Sequence, residues 1–267
     1  MFIPSRLILV ISFLFTATLS ACVLFTQDPF TTTNCVGFDG EEFGDAPDQT
    51  PTGYTAPGAD IGAFPSRRIN DGPRAQVRCR YWIGEYVTVE ADYTDPNDPD
   101  PINPQGRPPG TNVPNITTDY DDGVTYDWLV AAPSTPDRLP AKLNFRIQIN
   151  SIGQHEVFFN VLVDANRDGD WKDDSPILGP GEWAVRNHRV SVRDGFVTYD
   201  MPEIDFPIGA SGMPECMWAR VTVSDQPLGL GQDIPWSGTG AIGQGEIEDV
   251  LVIGANGTTC TVLQPEN

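Results

Sequence analysis

Residues 142–149, KLNFRIQI, alternate without exception: Leu143, Phe145, Ile147 and Ile149 fall on one side, and Lys142, Asn144, Arg146 and Gln148 on the other. A period of two is the pattern of a strand with one dry face and one wet face. Other short runs rich in valine, isoleucine, threonine and aromatic residues recur between breaks of glycine, proline, aspartate and asparagine. The 3.6-residue period of an amphipathic helix is almost missing. These runs predict strands over 81–91, 124–131, 142–149, 156–163, 183–192, 196–201, 218–224 and 247–253.

Short strands at this spacing, joined by turn-rich segments, predict an all-β fold, specifically an immunoglobulin-like antiparallel β-sandwich with long acidic, Pro/Gly-rich loops. The stretch 95–115, DPNDPDPINPQGRPPGTNVPN, holds seven prolines and cannot be a central strand, because proline donates nothing to the ladder. It is read as a solvated loop inside one domain spanning 37–263.

The strongest departure from this polar alternation is at the start. Residues 1–21 carry one charge, Arg6, then the apolar run Leu7 to Phe15 and a series of small residues, the layout of an export signal. The run is shorter than the roughly 20 apolar residues of a permanent membrane span. Leu19-Ser20-Ala21-Cys22 resembles the bacterial lipobox, which implies a mature chain starting at a lipidated Cys22, a short tether over 22–36, and anchoring by two or three acyl chains. Val23, where an aspartate resembles an inner-membrane retention signal, points to the outer membrane if the cell has one.

Charge changes the picture of partners. The chain has 37 Asp and Glu against 16 Lys and Arg, a net charge of −21, and removing 1–21 takes away only one cation. That argues against nucleic acid or an anionic membrane surface as a partner. It is compatible with divalent counter-ions outside the cell, where calcium suits oxygen ligands. Cys35, Cys79, Cys216 and Cys260 remain after Cys22, an even number in an exported chain, and suggest two disulfides. Of the three pairings, Cys216 with Cys260 and Cys35 with Cys79 is favoured if the runs after Cys216 and before Cys260 are antiparallel neighbours. No CxxC supports a thiol zinc site.

The candidate chemistry lies in 159–174, FNVLVDANRDGDWKDD. Asp164, Asn166 and Asp168 stand at positions 1, 3 and 5 of a turn, Gly169 at 6, and Asp170 at 7 with a backbone carbonyl to offer. Short oxygen-bearing side chains at alternate positions around a glycine reversal suit a hard cation needing 6 to 8 oxygens, so the expected cofactor is structural calcium. Position 12 is Ser175, not the bidentate glutamate of an EF-hand, and no helix flanks the turn. Asp173 or Asp174 is expected to replace that carboxylate. Asp121 and Asp122, beside Asp119, form a second acidic set that joins this site or makes its own. The competing reading for each loop is an ordinary solvated Asx-rich turn. On the tail, Glu246 and Glu248 share a strand face, and Arg220 on a neighbouring strand is a candidate ion-pair partner that competes with metal there.

Five segments occur in an order that resembles the bacterial GEVED domain: FGDAPD (43–48), DYDDGVTY (119–126), VDANRDGDW (163–171), WARVTVS (218–224) and GEIEDVLV (245–252). The resemblance implies an extracellular β-sandwich module of surface or secreted proteins. GEIEDV replaces GEVEDY, VLVDAN stands where an aromatic-rich WIDFN is usual, and the GE that normally follows the turn is displaced to Gly181-Glu182. That displacement puts a ligand role for Glu182 in doubt.

Catalytic constellations are missing from the sequence. His155 and His188 are the two histidines and sit in no HExxH spacing, and Gly209-Ala-Ser-Gly212 lacks the GxSxG pattern. The GxGxxG at 238–243 precedes a strand instead of a helix, so it is not a dinucleotide fingerprint. The expectation is no enzyme, with acidic-pair glycoside hydrolysis as the alternative. The expected function is a calcium-stabilised, lipid-anchored structural or adhesive surface module that meets a surface protein or a glycan; the runner-up is a carbohydrate-binding surface lipoprotein. Most of the six tryptophans belong in the core, and Trp236 is the one expected to be exposed for glycan stacking.

Overall fold

A computed structural model of the chain describes residues 40–54, 58–84, 87, 92, 123–130, 141–172, 182–206, 216–229 and 235–254. All of them belong to the unit Thr33–Asn267. The export segment with Cys22, the tether, Cys35, Cys260, the 95–115 loop, Asp119, Asp121, Asp122, Asp173 and Asp174 lie outside these residues.

The fold is all-β. Its strands are β1 (Gly40–Glu42), β2 (Asp48–Pro51), β3 (Ile61–Ala63), β4 (Arg74–Val77), β5 (Tyr81–Ile83), β6 (Val124–Val130), β7 (Ala141–Ser151), β8 (His155–Val163), β9 (Trp183–Val192), β10 (Gly195–Asp200), β11 (Ile204–Phe206), β12 (Cys216–Ser224) and β13 (Ala241–Ile253). A six-stranded sheet runs β1-β4-β13-β12-β8-β9. Its pairs are antiparallel except β4 with β13, which is parallel. The second sheet is built on β7: β10 and β11 pair along one edge, and β5 and β6 along the other. A short β2-β3 ribbon stands apart.

The alternation read in 142–149 extends over the whole of β7, buried and half-buried in turn from Ala141 to Ser151. Its dry side, Leu143, Phe145, Ile147 and Ile149, meets Val157, Phe159, Val161 and Val163 of β8 and Met217, Ala219, Val221 and Val223 of β12 in the sandwich core. Each of these side chains larger than alanine contributes about 1.5–3 kcal/mol on burial.

β12 is buried along its entire length, so it does not alternate between dry and wet. Its odd positions enter the sandwich core, whereas Cys216 and Trp218 enter a second apolar cluster with Phe64, Trp171, Trp183, Trp236 and Leu251. Both faces of the six-stranded sheet are therefore covered: one by the β7 sheet, the other by a layer that includes Ala46, Tyr54, Phe64, Leu228 and Trp236. This second layer explains why the chain needs so many tryptophans, and it corrects one expectation. Trp236 is not exposed; it is buried, its ring 6.4 Å from Trp183, and its indole N–H donates to the Thr239 carbonyl at 2.8 Å. An amphipathic ring in a polar loop was drawn inward because the outer face of the sheet is itself apolar.

The strands β1 to β4 and β11 were not predicted. Each has three or four residues, too few for a period to show, and β1 and β2 carry mostly polar residues. Cys79 and Cys216 are buried and disulfide-bonded. The geometric premise for the favoured pairing is met, since β12 and β13 are antiparallel with Cys216 opposite Ile253.

Candidate cation site and its polar frame

β8 ends at Val163, but Asp164 still donates its N–H to the Trp218 carbonyl at 2.9 Å, so the strand pairing fixes the first residue of the turn. The chain then reverses through Arg167 at φ 64° and Gly169 at φ 89°. The Asp164 carboxylate caps this reversal: Oδ1 accepts from Asp168 N–H at 3.2 Å and Oδ2 from Gly169 N–H at 3.1 Å. Tyr54 reaches in from the covering segment, and its hydroxyl donates to Asp164 Oδ2 at 2.8 Å while accepting from Trp218 N–H at 2.8 Å.

The turn is tied to its cover from both sides. Ala59 N–H donates to the Arg167 carbonyl at 2.8 Å and Ala63 N–H to the Gly169 carbonyl at 2.7 Å. The Arg167 guanidinium stacks over the Tyr54 ring at 4.9 Å.

Three carboxylates converge here. Carboxylate oxygens of Asp164, Asp168 and Glu182 lie within 4.8 Å of one another, with Asp164 and Glu182 buried and Asp168 exposed. Glu182, just before β9 at φ 49°, also accepts from Ala165 N–H at 3.0 Å through Oε1. Glu182, whose ligand role the displaced GE dipeptide put in doubt, nevertheless lies beside the turn, because β9 starts next to the end of β8, with Trp183 opposite Leu162. The displaced GE dipeptide was the only sequence signal for it.

The Asn166 amide bonds Asp168, one member of the trio. Its Oδ1 accepts from Asp168 N–H at 3.0 Å and its Nδ2 donates to Asp168 Oδ2 at 2.9 Å, so it shapes the turn and orients a carboxylate. Asp170 accepts from Lys172 N–H at 2.6 Å through Oδ1 and stands outside the trio.

Burial pushes the Asp164 carboxyl up to about 7; the Tyr54 hydrogen bond opposes that shift, the Asp168 charge adds to it, and backbone N–H groups of Gly169 and Arg167 oppose it. The Tyr54 hydroxyl is held well above its ordinary value, by burial first and then by the Asp164 charge. Carboxylates gathered at low dielectric repel one another unless a proton or a cation intervenes. The donor set fits a hard cation: oxygen only, three carboxylates, no thiol or imidazole.

A second polar cluster lies under the same cover. Arg220 and Asp249 are direct cross-strand partners, and both side chains are completely buried. Arg220 donates Nε–H to Asp249 Oδ1 at 2.7 Å and Nη2–H to Asp249 Oδ2 at 2.6 Å. Its remaining hydrogens go to the Pro65 carbonyl at 2.8 Å, the Gly238 carbonyl at 3.0 Å and Ser66 Oγ at 2.7 Å. All five guanidinium donors are thereby satisfied. Asp249 Oδ2 also accepts from Ala46 N–H at 2.6 Å, and Asp48 accepts from the N–H groups of Ser66 and Arg67.

Arg220 therefore pairs with Asp249, not with Glu246 or Glu248. Those two share the opposite face of β13, where Glu246 accepts from Ile83 N–H of the other sheet. The FGDAPD, WARVTVS and GEIEDVLV segments meet at this ion pair. Trp171 of the VDANRDGDW segment completes it, with its ring 5.7 Å from the guanidinium carbon.

Comparisons of the chain with protein families, curated proteins and solved structures found no match.

Proposed function

We propose that the chain is a calcium-stabilised surface module: an immunoglobulin-like sandwich similar to the GEVED domain, exported, lipid-anchored through Cys22, and structural or adhesive rather than enzymatic. The observation that carries the reading is the convergence of Asp164, Asp168 and Glu182 within 4.8 Å at a turn shaped by Asn166 and Gly169. Glu182 supplies a carboxylate of the kind that position 12 lacks, and calcium tolerates the uneven, partly hydrated shell that three protein carboxylates leave. An ion there would neutralise the repulsion among them and hold the turn against residues 58–63. In this reading Cys35 pairs with Cys79 and Cys216 with Cys260, which would fasten the two ends of the domain.

The test is calorimetric titration of the metal-free mature chain with calcium. Saturable binding tighter than roughly 1 mM, the weak end for extracellular modules, with proton release near pH 7, is the expected result. No binding heat, with the chain shown to be folded, would overturn the reading. The carbohydrate-binding alternative loses Trp236 as its stacking residue, and the face that could replace it lies on the other sheet.

A further inference from the structure

The wet face of the β7 sheet divides into two ends of different character. Cross-strand register places Leu129, Lys142 and Asp205 at one end, then Asp127, Asn144, Thr125, Arg146 and Asp200. The charges there are matched, Lys142 by Glu203 at 2.6 Å and Arg146 by Asp127. In the next two rows, Gln148 and Asn150 with their cross-strand neighbours, no described residue is charged, and the exposed Arg80 and Asp194 lie beyond them. Gln148 lies beside Thr198, and Asn150 lies between Phe196 on one neighbour and Trp82 on the other.

Phe196 is 52 % exposed, whereas Trp82, on the same face, is buried against Val77 and Val87 and closes the patch on that side. No hydrogen bond to another described residue engages the side-chain amides of Gln148 or Asn150. The result is an uncharged platform, roughly 10 Å on a side from strand spacing and rise. It presents carboxamides and a hydroxyl beside one open aromatic ring.

We propose that this platform, Gln148, Asn150, Thr198 and Phe196, binds a neutral glycan chain. The argument is charge and donor complementarity. A chain of net charge −21 repels polyanions, and a basic ligand would be drawn to its carboxylates, of which these four residues have none. What the patch offers is paired donor and acceptor amides, which match vicinal hydroxyls, and a ring face that covers the apolar C–H side of a pyranose. A protein partner of this area would need an apolar centre, and Phe196 with the exposed Ile152 just past β7 is too small for one. The inference deepens the adhesive part of the proposed function and is independent of the cation, because the platform sits on the β7 sheet and the Asp164 turn follows β8 of the other.

The test is affinity electrophoresis of the mature chain in gels holding soluble β-glucan, xylan, galactomannan or α-glucan, with alginate as the acidic control, each in calcium and in chelator. Retardation by at least one neutral polysaccharide and not by alginate is expected. Phe196→Ala and the Gln148→Ala/Asn150→Ala pair should each weaken it about fivefold to tenfold with the melting temperature unchanged. Retardation by none of the neutral polymers, retardation that survives both variants, or preference for alginate would overturn the proposal. None of these outcomes bears on calcium titration of the same protein, so the two readings fail separately.

Discussion

Replacing Arg220 with methionine should be among the most damaging single changes available to the domain. The side chain makes five hydrogen bonds, two to Asp249 and one each to Pro65, Gly238 and Ser66, and it is completely buried. Methionine of similar length fills much of the space but leaves the Asp249 carboxylate without its counter-charge. Removing one partner of a buried pair costs about 3–5 kcal/mol. For a domain of this size each kcal/mol lowers the melting temperature by roughly 2–4 °C, so a drop of about 6–20 °C is expected. Replacing both partners, Arg220→Met with Asp249→Leu, removes the stranded charge but still abandons Pro65, Gly238, Ser66 and the Ala46 N–H, each at about 1 kcal/mol. The double variant should therefore be less destabilised than the sum of the singles by about 3 kcal/mol, as measured by urea denaturation. Hydrogen exchange should show the loss first in 44–66 and around Gly238, the segments the guanidinium holds. Additive single effects, or a loss spread evenly over both sheets, would refute the argument that this pair fastens the cover to the sheet.

Gly44→Ala should destabilise through the same pair, because a Cβ there would lie 2.5 Å from Asp249 Oδ2 and 2.7 Å from Arg220 Nη2; a melting temperature within 1 °C of wild type, about the scatter of a surface change, would contradict the packing. Tyr54→Phe removes a hydroxyl that joins Trp218 N–H to Asp164 and should cost about 1–3 kcal/mol in denaturant melts. In chelator, the Asp164 carboxyl, raised to about 7 in the folded state, favours folding at low pH, and that contribution is lost as pH rises from about 4 to about 7. The stability of wild type relative to Asp164→Asn should fall across that window without calcium, and an increase there would refute the assignment.

How much of this could be read from the sequence varies with the physics of each element. β7 was fully legible because one of its faces is wet, so its alternation is written in residue type. β12 gave its position but not its surroundings, since a strand covered on both faces reads as a plain apolar run. Nothing local in WARVTVS states that Arg220 is buried, and only the register with Asp249 explains it. The Asp164 turn was legible because its oxygen-bearing side chains are sequential, whereas Glu182 and Tyr54 come from segments brought in by strand pairing and by the cover. Trp236 was misread for the same reason: a loop rich in glycine and serine reads as surface unless the second apolar layer beneath it is known.

The most direct test of the central claim is thermal denaturation of the mature chain and its Asp168→Ala variant, each in calcium and in chelator. Saturating calcium at about 100 times Kd should add about 2.7 kcal/mol, a rise of roughly 5–10 °C for the wild type. Asp168→Ala should lose most of that rise while melting close to wild type in chelator. Equal melting temperatures with and without calcium, or equal losses in the variant under both conditions, would make the Asp164 turn an ordinary turn and remove the basis of the account.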